Sequence, residues 1–304
     1  MAYIFLASTI FFWGTTYRAN AIATHGHTSS LMYTAFRAAP AALILLAVLP
    51  IVGARLPRGR ELVWAALMGL LLVAVELEAI SEGVTRAGAG NASVLVNSSP
   101  FFVLILGRIF LGERASWLAV GGLVLGFAGV VVMVSSQLGG ASETGQLALG
   151  LLAALVAAVV WGSGTLAIKW LVLRDPGLDL MGLTIGQFFF GGIALLALAF
   201  GIKGTGGTDW SSGDLWGAIA WSAIGSSAIG TLAYFLALKR LTATRVASWL
   251  FLVPAVAILV EIARGATPGA VTLVGMVLAT AGVAIVSTAP ATAPRPRAVA
   301  QPSA

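Results

Sequence analysis

The chain of 304 residues contains no cysteine and only two histidines. Without cysteine there can be no disulfide, no thiolate catalysis and no cysteine-based metal site. Charge is scarce too: Asp, Glu, Lys and Arg together make up 9% of residues, where a soluble globular protein carries about 25%. So few charges cannot coat a water-exposed globule, which argues against a soluble enzyme and against a disordered chain. The net charge of +6 is accompanied by no basic patch or recognition motif, so no nucleic-acid partner is expected. No G-x-x-x-x-G-K-[ST] loop occurs, so the chain has no ATPase signature, and no cofactor is expected. His25 and His27 form a His-x-His pair with no carboxylate in their loop and read as solvated histidines, not as metal ligands.

What the chain has in abundance is apolar length. Hydrophobic residues make up 59% and glycines number 37, and the mean hydropathy is +0.99. A helix crossing a bilayer needs about 20 mostly apolar residues. Ten such stretches are expected, at roughly 3–20, 31–51, 62–84, 88–111, 116–135, 147–170, 179–201, 214–238, 244–262 and 270–288. The fold class is therefore an all-α polytopic membrane protein with short connections and no soluble domain. The Pro- and Ala-rich tail, 289–304, is expected to be disordered. Ala21-Ile22-Ala23 resembles a signal-peptide cleavage site, but Met1-Ala2 supplies no basic n-region, so the first segment is expected to stay.

The two halves share an ordered set of landmarks. Trp13-Gly14 recurs as Trp161-Gly162. Ala92-Ser93 with Pro100 recurs as Ala247-Ser248 with Pro254. Gly121 and Gly129-Val130 recur as Gly275 and Gly282-Val283. Two repeats of five helices follow, 3–135 and 147–288. Because five is odd, the second repeat starts from the opposite side of the membrane and the repeats are inverted. Such symmetry accompanies alternating access, with the site near the midplane between repeats.

These features resemble the drug/metabolite transporter superfamily with paired EamA domains. The likeness rests on Phe12-Trp13-Gly14-Thr15-Thr16-Tyr17, on Arg37 followed by Ala38 to Leu43, on Pro100, on Leu111-Gly112-Glu113-Arg114 and on Gly121 to Val132. Glu76, and Asn97 just before Pro100, are similar to the YddG-type amino-acid exporters. The resemblance implies a secondary transporter or facilitator in the cell inner membrane that exports small metabolites, above all aromatic and other neutral amino acids. Other exported compounds, such as nucleosides or cationic drugs, and a channel remain the alternatives. The sequence departs from the family at the second-repeat glutamate: that place falls near Thr267, and Glu261 lies six residues too early to inherit a role. The partners implied are a small-molecule substrate and the lipid bilayer, with a monomer as the working expectation.

Ionisable residues inside a span are costly and are functional candidates by default. At 1.5 Å per residue, Trp13, Arg37, Glu76 and Asn97 share a level roughly 9–14 Å from the outer ends of their helices. Trp161, Gln187, Tyr234 and Trp249 fall in the inner half of theirs. With Tyr17 and Glu78 these form the expected substrate-binding set: Trp13, Tyr17, Arg37, Glu76, Glu78, Asn97, Trp161, Gln187, Tyr234 and Trp249. Aromatic walls with few fixed charges suit medium-sized, partly apolar solutes. Glu76 either pairs with Arg37 or meets the substrate or a proton. Glu78 and Glu82 share a helix face with Arg86, and Glu82–Arg86 reads as a solvated pair at the mouth. Trp64, Trp117, Trp170, Trp210 and Trp216 sit at span ends as interface anchors. Pro100 and Pro254 are the expected hinges. The spans contain no histidine and no catalytic set, so catalysis is not expected.

Orientation follows from Lys and Arg. With the N-terminus inside, Arg55, Arg58, Arg60, Arg108, Arg114, Lys169, Arg174, Lys239, Arg240, Arg245, Arg295 and Arg297 lie on the cytoplasmic side. Arg18, Arg86, Lys203 and Arg264 lie outside. Both termini are then cytoplasmic. A reporter active only outside the cytoplasm is expected to be silent when fused after Ala304 and active when fused at Gly140. The reverse pattern overturns this topology.

Overall fold

A computed structural model describes residues 1–24, 26–113, 115–135, 144–202, 204, 206–265 and 267–290. His25, Arg114, Lys203, the side chain of Glu261 and tail residues 291–304 lie outside the described set. All regular structure among the described residues is helical. The elements are α1 (Ala2–Thr24), α2 (Ser30–Val52), α3 (Arg60–Gly69), α4 (Glu76–Val96), α5 (Ser99–Leu106), α6 (Trp117–Val134), α7 (Thr144–Arg174), α8 (Leu180–Ile202), α9 (Gly213–Trp221), α10 (Thr231–Leu238), α11 (Ala243–Ser248), α12 (Val253–Ala263) and α13 (Ala270–Thr288). Wider π-helical turns occupy Leu70–Val75, Gly107–Leu111 and Ser222–Gly230, and a tighter 3₁₀ turn occupies Trp249–Leu252.

Eight of the described helical rods are long and apolar enough to cross a membrane, and Trp117–Met133 is a shorter apolar helix. The chain is thus a multi-pass membrane protein. At 23 residues, α1 is long enough to span. It falls short only in hydropathy, because Thr9, Thr15, Thr16, Arg18 and Asn20 interrupt its apolar run. The helices begin where short hydroxyl side chains cap them. Ser29, Ser116, Ser212 and Thr242 accept hydrogen bonds from the amides of Met32, Ala119, Leu215 and Arg245, covering donors that the first helical turn leaves unpaired.

Several expected spans are not continuous rods. Gly88 has φ 80° and ψ 154°, a conformation open to glycine and costly for other residues. It ends the rod that begins at Arg60 and lets the chain turn back. The fourth expected span breaks at Asn97-Ser98 and restarts with Pro100 in the first turn of α5. Proline fits there because it has no amide to donate and its φ is already helical. The ninth breaks at Trp249–Leu252, just before Pro254 in α12.

The rods pack pairwise, with α2 on α8, α4 on α7 and α6 on α13. The last pair meets backbone to backbone. A Cβ on Gly122 would stand 2.9 Å from the Gly282 carbonyl oxygen, and one on Gly282 would stand 2.6 Å from that of Gly122. Gly129 and Gly275 repeat the arrangement at 2.8 and 2.7 Å. The contact is reciprocal, and it runs through Gly122, while Gly121 faces open space. In lipid, where apolar burial between helices gains little, such close approach supplies the attraction.

Both ends of the helical array meet on one face. The Arg240 guanidinium lies 5.2 Å from the Phe5 ring at the start of α1. Arg245 donates to the Ala289 carbonyl just past α13 at 2.7 Å. Gly282→Leu is expected to lower the melting temperature sharply, because backbone atoms cannot yield as side chains do; overpacking typically costs about 1–3 kcal/mol. Gly121→Leu on the neighbouring helix should change it little. Equal melting temperatures for the two variants would show that the glycine contact does not hold the pair.

Candidate substrate cavity

Two helix faces define one cavity. On α1, Trp13, Thr16, Tyr17 and Asn20 follow the i, i+3, i+4, i+7 spacing that places residues on one stripe. Across from it, Leu72, Val73, Glu76, Leu77 and Ile80 run along the π-turn and the start of α4. Arg37, Val96, Asn97, Ser99, Trp161, Gln187, Phe188, Ser226, Thr231, Leu250 and Val253 complete the lining. The space is about 90 Å³. At 10–15 Å³ per water it has room for about six to nine waters, or one small solute.

The Ser222–Gly230 π-turn organises the polar side. Arg37 donates from Nε to Ser227 Oγ at 3.3 Å and from Nη2 to Ser226 Oγ at 3.1 Å. Tyr33 and Ser222 share a 2.6 Å hydroxyl contact. A π-turn releases main-chain groups from regular pairing, and side chains of α1 take up the carbonyls. The Trp13 indole N–H donates to Ser226 O at 3.1 Å, and Thr9 Oγ1 donates to Gly230 O at 3.0 Å. Glycine at 225 and 230 is required sterically, since a Cβ at Gly230 would lie 2.7 Å from the Trp13 indole nitrogen.

Aromatic rings join the two halves at this level. Trp13 meets Trp161 edge-on at 4.9 Å between centroids and stacks on Tyr234 at 5.4 Å, and Trp161 and Tyr234 lie 5.1 Å apart. Such ring pairs contribute about 0.5–1.5 kcal/mol each beyond area burial.

The cavity collects buried polar atoms that have no hydrogen-bond partner among the described residues. They are Asn20 Oδ1, Glu76 Oε2, Ser99 Oγ, Trp161 Nε1 and both amide atoms of Gln187. Elsewhere among the described residues only Glu78 Oε2 is in that condition. An unpaired buried polar group costs about 1–3 kcal/mol, and here six such atoms converge on one cavity. Donors and acceptors are both present: the indole N–H, the serine hydroxyl and the Gln187 amide group can donate, while Glu76, Asn20 and the Gln187 oxygen accept.

Of the residues singled out from sequence, Trp13, Tyr17, Arg37, Glu76, Asn97, Trp161 and Gln187 line this cavity. Three do not. Tyr234 is fully buried behind it, stacked on Trp13. Trp249 points to the other side, donating to Ser287 Oγ at 3.2 Å with its ring 5.6 Å from Tyr3. The tight turn at Trp249–Leu252 rotates successive residues further than an α-helix does and gives the cavity Leu250 and Val253 instead. Glu78 is turned about 200° from Glu76. It accepts from Ser30 Oγ at 3.0 Å, beside Glu82 at 2.7 Å, and Glu82 pairs with Arg86. Glu76 and Arg37 form no direct ion pair: the guanidinium is turned to the two serines. The expected hinges Pro100 and Pro254 each stand in the first turn after a helix break. Sequence reading missed Asn20, Ser99, Ser226 and Thr231. Ser226 and Ser227 had a visible signal, a small polar pair amid an otherwise apolar span.

The model of the EamA-like transporter family matches residues 1–135 and again 148–288. A probable terminal-alkyne amino-acid exporter of Streptantibioticus cattleyicolor is 28% identical over 93% of this chain and 92% of its own. The uncharacterized transporter YoaV of Bacillus subtilis is 23% identical over 83% of this chain and 85% of its own. The WAT1-related chloroplastic protein At3g02690 of Arabidopsis thaliana is 29% identical over 64% of this chain, and the match spans only 46% of that longer protein. A crystal structure covering 94% of this chain and 96% of its own superposes with a TM-score of 0.79 at 21% identity, a likeness of fold. With its two matched segments covering nearly the whole chain, this protein belongs to the EamA-like transporter family.

Proposed function

We propose that this protein is a secondary transporter that exports small zwitterionic metabolites, foremost neutral amino acids, from the cytoplasm across the inner membrane. The observation that carries this reading is the convergence of unpartnered donors and acceptors on one cavity that also holds Arg37 and Glu76. An α-amino acid offers an ammonium for Glu76 and a carboxylate for the Trp161, Gln187 and Ser99 donors, while Leu72, Leu77 and Ile80 receive its side chain. The similarity to a probable terminal-alkyne amino-acid exporter supports the same class. The relative YedA of Escherichia coli, described as an inner membrane transporter and 32% identical over half of this chain, supports the location.

In this reading the chain crosses the membrane ten times as two inverted five-helix repeats. Their packing supports the symmetry. Helix α1 packs on the Ser222–Gly230 turn and on α12, and its counterpart α7 packs on the Leu70–Val75 turn and on α5. The pairs α2–α8 and α6–α13 map onto themselves. With the chain ends on one face, the number of crossings is even. Alternating access is then rocking of the repeats about the cavity, with the breaks before Pro100 and Pro254 as hinges.

Two substitutions separate a transport role from a structural one. Gln187→Leu removes two unpaired polar atoms, so the melting temperature should hold or rise, while initial uptake of amino acids into liposomes should fall by about tenfold or more. Glu76→Gln should impair uptake comparably, and Glu82→Gln, at a pair worth under about 1 kcal/mol, should stay near native. Uptake of nucleosides or cationic compounds, and not amino acids, would reassign the substrate. Near-native rates for both cavity variants would remove the cavity from the path. Flux that neither saturates nor responds to counter-substrate would indicate a channel.

A further inference from the structure

A second recess, about 290 Å³, opens on the face where the chain ends meet. Its walls come from both matched segments, Leu111, Glu113, Ala115 and Ala119 in the first and Lys169, Arg240, Arg245 and Val286 in the second. Among the described residues, three cations and one carboxylate, Glu113, line it.

The cations are anchored, with donors to spare. Lys169 Nζ donates to the carbonyls of Leu238 and Leu241 at 2.8 and 2.7 Å, which leaves one ammonium proton. Arg240 uses one guanidinium nitrogen on Leu236 O and Arg245 uses one on Ala289 O, out of five N–H donors each. The carboxylate does not neutralise them by a direct bridge. Glu113 Oε1 accepts from the Ala243 amide at 3.4 Å, and Glu113 forms no ion pair within the described residues. Burial pushes its carboxyl above the ordinary glutamate range, which weakens the negative charge in the recess further.

The rim is apolar and uncovered. Among its lining residues Leu173 is 59% exposed, Pro290 is exposed, and Leu111 and Leu241 are half-buried. In a multi-pass membrane protein these side chains face acyl chains or the interface. A fixed cationic recess beside an uncovered apolar rim matches an anion that carries its own hydrocarbon.

We propose that this recess binds the phosphate of an anionic phospholipid, held by Lys169, Arg240 and Arg245, with its acyl chains along Leu173. The bound lipid touches both matched segments and so ties them together on this face. A basic pocket between membrane helices is a known form of headgroup site. The site is separate from the central cavity and does not depend on the substrate.

Native mass spectrometry of the full-length protein in mild detergent tests it, with phosphatidylglycerol, phosphatidylcholine or inorganic phosphate added. Phosphatidylglycerol is expected to be retained over phosphatidylcholine, and the R240Q/R245Q double variant to weaken that retention on the order of tenfold. The R58Q/R60Q double variant, which removes the same charge from exposed positions, should keep it. Equal retention of the two lipids by the unmodified protein overturns the proposal without reliance on any variant. Equal loss in both double variants overturns it in favour of general surface charge. Millimolar inorganic phosphate that displaces phosphatidylglycerol and is retained in its place would make this a site for the free anion, and the lipid proposal would fall.

Discussion

A guanidinium in the interior of a membrane bundle has to be met by polar groups of the protein, since lipid provides none. Arg37 is met by two hydroxyls from the Ser222–Gly230 π-turn, and much of the central architecture follows from that contact. The turn must widen to present both serines, which frees carbonyls. Those carbonyls call for donors, and Trp13 and Thr9 of α1 provide them. To reach, α1 must lie close, so the turn carries glycine at 225 and 230. The same polar demand makes α1 less apolar than the eight rods that are long and apolar enough to span.

With Arg37 committed to serine, Glu76 is left without it. A direct ion pair would have closed the cavity and consumed both charges. Instead the carboxylate keeps one oxygen unpartnered next to an unpartnered Gln187 amide and Trp161 indole. A design aimed only at stability would have removed such atoms or paired them. They persist at one place and almost nowhere else among the described residues, and the proposed transport role gives that cost a use.

Which residues gather at the cavity was partly legible in the sequence, and which way each side chain points only in part. Counting residues from helix ends placed Trp13, Arg37, Glu76 and Asn97 at one level and Trp161 and Gln187 at its mirror, and all six line the cavity. The same count placed Trp249 with them, and a 3₁₀ turn aims it at Ser287. Glu78 misses the cavity for a reason the sequence did carry: it stands about 200° from Glu76, on the face it shares with Glu82, where both meet Ser30. Departures from 3.6 residues per turn decide which side chain faces inward, and no single residue type announces them. The π-turn at 70–75 reads in composition as ordinary apolar helix, and the one at 222–230, although rich in serine and glycine, lies inside an otherwise apolar span. Ser226 was therefore hidden by its setting, although its chemistry was in plain view.

The contact between α6 and α13 also limits how the molecule can move. At Gly122, Gly129, Gly275 and Gly282 there is no layer of side chains between the two backbones. The residues that follow these glycines are Leu123, Val130, Met276 and Val283, and none of them fits a seat that accepts only hydrogen. The pair is keyed in register, like two combs with matched gaps, and can neither slide nor rotate without coming apart. Joining one helix from each matched segment, it rivets the two halves along one edge. Any opening of the cavity has to flex around that seam, as a book opens around its binding.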